Sequence, residues 1–325
     1  MQMRKVNVPP IKSLTILAVG ILISDVYVFS APAQQSTIEP IAQIAFEFFR
    51  NEILIQVKID GKGPFTMMVD TGTDPSAIDL TTSKSIGLRL NGVGNRASGG
   101  GTTVNLAYET KLNSVEIESF TAQDVEAVAI DLNKLSERMG RRIDGVLGHS
   151  LLNRRVVQID YPRRSLRFYS SSPVAGNSVQ TNTVDLTRLS FKYKSNILIY
   201  DVSVNGRRIT ANVDTGSNGL FQLTPKAVND LGLQDEASRG RRIVGSGYNG
   251  TSDDIEATVE NVTIGAISIE NPNVVFFGKG SGRDSKPWGI NVGNDFLKNY
   301  VVTIDYPKKM ITLERPHRSD TISPK

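Results

Sequence analysis

Short apolar runs bounded by turn residues dominate this chain, and two of them are copies of one another. Ile53-Leu54-Ile55 opens a strand-like stretch that closes at Val69-Asp70-Thr71-Gly72, and Ile197-Leu198-Ile199 opens another that closes at Val213-Asp214-Thr215-Gly216, 144 residues on. A turn signal splits each stretch into two strands, Asp60-Gly61-Lys62-Gly63 in the first copy and Asn205-Gly206 in the second, so each copy should begin with a β-hairpin. A short helix should follow each Asp-Thr-Gly. Thr224 suits its N-cap, Pro225 its first position and Gly232 its stop in the second copy, with Thr81 or Thr82 and Gly87 in the same roles in the first. Further strands are predicted at 104–108, 115–117, 156–159, 166–169, 255–259 and 310–313.

The copies continue beyond the helix. Gly148 is followed by Ile159-Asp160-Tyr161-Pro162, and Gly293 by Ile304-Asp305-Tyr306-Pro307, now 145 residues apart. Between the halves, 170–185 is rich in Ser, Asn, Thr and Gly without apolar periodicity, which marks a linker. The expected organisation is therefore two similar, mainly β lobes at 40–169 and 186–315, with a tail at 316–325.

The N-terminus is different in kind. Arg4, Lys5 and Lys12 precede an apolar run from Leu14 to Ile23, and Ala31-Pro32-Ala33 supplies small residues at cleavage-site spacing, so 1–33 reads as a signal peptide and the protein as secreted or periplasmic. Asp25 keeps the apolar run short of the roughly 20 residues that a spanning helix needs, leaving an uncleaved anchor as the only membrane association.

Composition narrows the chemistry. The formal charge of +4 is too small to argue for nucleic acid, and basic doublets such as Arg141-Arg142 and Lys308-Lys309 sit among turn signals as solvated surface. With no cysteine there is no disulfide, no thiolate nucleophile and no thiolate metal site. The two histidines, His149 and His317, lie far apart without a Ser or Cys partner motif, which argues against zinc and against a histidine-activated nucleophile. No phosphate-binding glycine loop with Lys is present, so neither metal nor cofactor is expected. Asn249-Gly250-Thr251 and Asn261-Val262-Thr263 fit glycosylation acceptors, relevant only in a host that glycosylates secreted proteins.

The repeated tripeptide carries the chemistry. Asp-Thr-Gly should occur by chance only on the order of a few hundredths of a time in a chain this long. Met67-Met68-Val69-Asp70-Thr71-Gly72-Thr73 and Ala211-Asn212-Val213-Asp214-Thr215-Gly216-Ser217 resemble the active-site motif of retropepsin-like and pepsin-like aspartic peptidases, and the resemblance covers both halves. It implies two acid-protease lobes related by a pseudo-two-fold axis, each donating one Asp to a dyad between them. With both motifs in one chain, an active monomer acting on polypeptide is implied. Two carboxylates sharing one proton supply both the base that activates water and the acid that protonates the carbonyl oxygen and the leaving amine. Glycine at 72 and 216 lets the turn tighten against the carboxylate. The resemblance further implies that Thr71 and Thr215 hydrogen-bond across the lobe interface and that the hydroxyls of Thr73 and Ser217 contact the aspartates. Such donors lower a carboxyl pKa and predict an acidic activity optimum, below about pH 6.

Flaps are expected about 30 residues beyond each motif, at Gly99, Gly100 and Gly101 and at Gly247 and Tyr248. The first lacks the tyrosine of pepsin-like flaps, and Tyr248 in the second copy carries no assigned role. Two further departures stand out: Asp74-Pro75 after the first motif, and the polar Asn291 where the family has an apolar residue. Asp74 either adds charge near the dyad or starts a turn. Two other readings compete. Asp70-Thr71-Gly72-Thr73 also resembles the phosphate motif of actin-like sugar kinases, a fold that needs long helices between its motifs. A domain that kept the fold for peptide recognition alone would be expected to have lost one Asp, and both are present.

Overall fold

Each half starts from a hairpin whose tip demands left-handed backbone. Asp60 and Gly61 have φ of 50° and 72°, and Asn205 and Gly206 have 47° and 72°. Positive φ at both central residues is the type I′ turn, whose twist matches that of the strands it joins. The Asp60 carboxylate accepts from Ser114 N and Asn113 Nδ2 (both 2.8 Å), and Asn205 Oδ1 from Glu260 N at 2.9 Å.

A computed structural model describes residues 38–97, 105–171, 173, 185–247 and 250–316. The expected signal segment, most of the expected linker and tail, His317, and the flap residues Gly99, Gly100, Gly101 and Tyr248 lie outside the described residues. Helices among the described residues run to seven residues at most, Asn133–Met139 and Pro225–Leu231. The protein is mainly β, in two homologous lobes, and the long helices of an actin-like kinase are not found there.

Both lobes share one connection. In the first, strand Lys62–Val69 pairs in parallel with Gly145–Leu147, which is antiparallel to Ser76–Asp79. In the second, Ala211–Val213 pairs in parallel with Ile290–Val292, which is antiparallel to Phe221–Leu223. The returning strand therefore lies between the two strands that flank each Asp-Thr-Gly, and closes the loop from below: Asp70 N donates to Leu147 O and Asp214 N to Val292 O, both at 3.0 Å. The lobes meet in a run of six strands, Ala42–Ala45, Ser165–Tyr169, Val156–Asp160, Val301–Asp305, Met310–Glu314 and Leu186–Tyr193, within a 13-stranded sheet. At its centre Gln158 faces its repeat counterpart Thr303, with a 3.1 Å side-chain hydrogen bond. Ile159, Leu166, Phe168, Val302, Ile304 and Ile311 are sealed in a core common to both lobes. The repeated Ile-Asp-Tyr-Pro is a self-capped turn, in which Asp160 accepts from Arg163 N (3.1 Å) and Asp305 from Lys308 N (2.9 Å).

Three local expectations need correction. The second hairpin is divided: Ile197–Ile199 and Ala211–Val213 stay in the large sheet, while Val202–Val204 and Arg207–Arg208 join a separate four-stranded sheet with Asn261–Ile264. The described part of the run at 104–108 and the run at 115–117 belong to a single strand, Asn105–Ile117. Its middle reads as polar because Glu109, Lys111 and Asn113 face outward while Thr110 and Leu112 are buried.

The first helix, Leu80–Ser85, is capped by Asp79 and not by Thr81 or Thr82. Asp79 accepts from Thr81 N (2.9 Å), Thr82 N (3.1 Å) and Leu132 N (3.2 Å), and Thr82 turns inward to Asp144. The second helix is capped as expected by Thr224 with Pro225, and Gly232 ends it in the left-handed region. The cap gives a test. Asp79→Ala should lower unfolding stability by about 1–2 kcal/mol and Thr81→Ala by under about 0.5 kcal/mol, measured by urea denaturation; equal losses would return the cap to Thr81.

Candidate active site

The two Asp-Thr-Gly turns are held face to face by their threonines. Thr71 Oγ1 donates to Val213 O (2.9 Å) and accepts from Thr215 N (3.1 Å), while Thr215 Oγ1 donates to Val69 O (2.9 Å) and accepts from Thr71 N (3.0 Å). Each hydroxyl thus bridges a donor and an acceptor of the other lobe, and all four bonds are buried. The glycines allow the approach. A Cβ on Gly216 would lie 2.1 Å from Asp70 Cγ, and one on Gly72 would lie 2.7 Å from Asp214 Oδ1. Gly72 N donates to Asp70 Oδ1 (2.6 Å) and Gly216 N to Asp214 Oδ1 (3.0 Å). A side-chain hydrogen bond joins Asp214 to Asp70.

Outside this shared frame the two aspartates are supported differently. Thr73 Oγ1 donates to Asp70 Oδ2 at 2.6 Å, as expected. Ser217 meets Asp214 only through its backbone, with Ser217 N donating to Asp214 O at 3.3 Å, and its hydroxyl donates instead to Gln222 Oε1 at 2.8 Å. Asn291 takes its place, donating from Nδ2 to Asp214 Oδ2 (2.9 Å) and to Gln222 Oε1 (3.0 Å), and Asn291 Oδ1 accepts from Asn212 Nδ2 (2.7 Å). These amides stand at paired positions on three neighbouring strands, Asn212 opposite Asn291 and Gln222 opposite Asn291. The first lobe has Met68, Val146 and Ala77 at the same register positions. The polar residue that looked like a departure from the family is therefore a direct ligand of the second aspartate.

Electrostatics follow the asymmetry. Burial and the charge of Asp70 push Asp214 up to about 7, against the downward pull of the Asn291 and Gly216 hydrogen bonds. The Tyr193 ring stacks on His149 with centroids 3.5 Å apart; burial, and after it the charge of Asp74, raises the Tyr193 pKa, and burial lowers that of His149. Sequence reasoning passed over Glu52. It is completely buried, 3.4 Å from Arg138, and is pushed well up by burial, with the charges of Asp70 and Asp214 adding to the shift. A lone Glu at the start of an apolar strand offers no signal for this, since only the fold brings Arg138 and the dyad to it.

Asp70 and Asp214 line one cleft of about 450 Å³. Gly247, of the expected flap residues, lines it too, at the end of a hairpin formed by Arg241–Gly247 and Gly250–Thr258. Among the described residues no cluster of three or more His, Asp or Glu could hold a metal ion.

The aspartyl protease family model matches residues 55–151 and, a second time, residues 200–296, more than half of the chain. The chain belongs to the aspartyl protease family. Each match encloses one Asp-Thr-Gly and the strand that returns beneath it, so the family pattern coincides with the unit that the hydrogen bonds define. No curated protein matches the chain.

In this member of the family the threonine exchange sets the geometry of the site, which gives a second test. Thr71→Val leaves Val213 O and Thr215 N buried without partners and should lower stability by roughly 2–4 kcal/mol, whereas Thr71→Ser retains the hydroxyl and should lose under about 1 kcal/mol. Similar thermal unfolding curves for the two variants would show that the exchange contributes little.

Proposed function

We propose that the protein is an aspartic endopeptidase that hydrolyses peptide bonds with Asp70, Asp214 and a water molecule. The observation that carries this reading is the joined pair of carboxyls at the foot of one cleft, with Asp214 raised to about 7. Two neighbouring carboxyls that cannot both ionise readily retain one proton over a wide pH range. Asp214 holds that proton, while Asp70, accepting from Gly72 N and Thr73 Oγ1, is the ionised partner.

Asp70 then removes a proton from water as the water oxygen bonds to the peptide carbonyl carbon, and Asp214 gives its proton to the carbonyl oxygen. The resulting tetrahedral diol collapses as the proton now on Asp70 passes to the amide nitrogen and the C–N bond breaks. A hydroxyl proton returns to Asp214, the new carboxyl and amine leave, and the starting state is restored. We further propose that 1–33 directs export and that the chain acts as a monomer, since one chain supplies both aspartates.

Asp70→Asn and Asp214→Asn should each reduce kcat/KM on a peptide library by at least about 10³-fold while leaving circular dichroism and Tm near those of the parent. Turnover by either variant comparable to the parent's would refute the dyad. Binding of peptide by the parent without any turnover would favour a recognition module instead.

The pH profile tests the position of the proton. Protonated Asp214 is the active form and its pKa is raised, so activity should persist below about pH 7 and fall as pH rises through it. That places the alkaline limb above the optimum expected from hydroxyl donors alone. Asn291→Val removes a donor that favours ionised Asp214, so the alkaline limb should move to higher pH. Ser217→Ala should leave it nearly unmoved, because that hydroxyl serves Gln222. A limb that ignores Asn291→Val would separate this amide from the titration.

A further inference from the structure

The walls of the cleft differ in a way that the repeat does not require. Above Asp70, the first-lobe wall presents Ala77, Ala107, Val128, Ile130 and Leu132. Above Asp214, the second-lobe wall presents the Asn291 and Gln222 amides together with Arg283, Lys286 and Trp288. The amides replace Val146 and Ala77 of the first lobe at matching register positions. Side-chain acids of the cleft other than the dyad, Asp74 and Glu109, belong to the first lobe. The first lobe's lining cation, Arg138, is paired with Glu52 at 3.4 Å, so the cations left without an ion-pair partner among the described residues, Arg283 and Lys286, stand on the second-lobe side.

These cations are poorly satisfied among the described residues. Arg283 and Lys286 are both partly buried, and among the described residues neither lies within ion-pair distance of a carboxylate. The Arg283 guanidinium lies 4.0 Å from the centroid of the Phe277 ring, donates to Ser281 O at 3.4 Å, and feels the charge of buried Asp254. Lys286 has less compensation: burial and the Arg283 charge both disfavour its ammonium form, and the opposing attraction is from Asp214. The groups that set Asp214's own state are Asp70, Asn291 and Gly216, so neither cation is the principal counter-ion of the dyad. Beside them the buried Trp288 Nε1 has no hydrogen-bond partner among the described residues. The wall thus gathers N–H donors and partly desolvated positive charge with little to receive them, and the group that answers both is a carboxylate.

Building on the peptidase reading, we infer that the cleft selects polypeptides with an acidic side chain, Asp or Glu, against the second-lobe wall at Lys286 and Arg283, and an apolar side chain against the first-lobe wall. Substrate carboxylate entering there gains a partly desolvated ion pair, whereas a lysine is repelled by the same charges. Discrimination is expected through kcat/KM, with the charge that favours one substrate opposing the other.

The test is a position-scanning set of peptides with a fixed apolar residue at one side of the cleaved bond and Glu, Gln or Lys at each other nearby position. The parent should prefer Glu over Lys by about 10-fold or more in kcat/KM at one position at least. Lys286→Glu should reverse that preference at the same position, and Arg283→Gln should weaken it; the first variant needs no loss of the Phe277 contact and guards against misfolding of the second. Absence of a Glu preference in the parent, or an unchanged preference in Lys286→Glu, overturns the inference. If no peptide is cleaved, the peptidase reading fails separately, and calorimetric binding of the same peptides decides the selectivity. Tighter binding of Glu peptides that inverts in Lys286→Glu supports it, and equal binding of Glu and Lys peptides overturns it.

Discussion

Two carboxyl groups repel when both are charged, and a structure that keeps them in contact must hold them by something other than their own attraction. The reciprocal exchange between Thr71 and Thr215 does this. Each hydroxyl is donor to a carbonyl and acceptor from an amide of the opposite turn, so neither turn is complete without the other. The remaining architecture serves that contact. Returning strands Gly145–Leu147 and Ile290–Val292 clamp the turns from beneath, and Asn294 reaches across to Asn51 O and Thr215 O, both at 2.7 Å. Because the main core cluster runs through both lobes, the pair is held in a single packed body.

Duplication supplies two equal carboxyls, but the reaction needs unequal ones. The inequality is built one shell out, where the hydroxyl of Thr73 serves Asp70 and an amide ladder serves Asp214. A ladder of Asn212, Asn291 and Gln222 is fully polar yet sits on strands whose first-lobe counterparts are apolar, so it has to satisfy itself. It nearly does: Asn291 alone uses its oxygen and both amide directions, although Asn212 Oδ1 lacks a partner. Buried polar groups tolerate little misplacement when their partners are fixed, and this rigidity is what distinguishes the environment of one aspartate from that of the other.

Much of this was readable from residue order. The 144- and 145-residue offsets revealed two lobes, and Asp60-Gly61 and Asn205-Gly206 marked turns because few residues accept positive φ in succession. The aspartates, their glycines and the threonine exchange came through the repeated motif and its family resemblance. What stayed hidden depended on contacts between distant residues. Asp79 displaced Thr81 as a cap because three amides converge on it, one of them 53 residues away. Ser217 matched Thr73 by position, but Gln222 and Asn291 compete for its place, and their register is a property of the sheet. Glu52 lay outside every motif because its importance comes only from depth.

That depth links the features which look separate. A cleft floor with little water raises Asp214 and Glu52 together, since burial opposes the ionised form of each. The same loss of solvent opposes the charged forms of Arg283 and Lys286 from the other direction. An environment that is costly for every isolated charge allows only compensated ones, and the available compensations differ from group to group. Glu52 has Arg138, Asp70 has its two donors, and Asp214 has a retained proton. For Lys286 the compensation among the described residues is the attraction of Asp214, which weakens when that carboxyl is protonated. In the proposed mechanism the state that readies the dyad is therefore also the state in which the second-lobe cations are least satisfied, so that the proposed chemistry of the floor and the inferred charge preference of the wall would arise from one desolvated site.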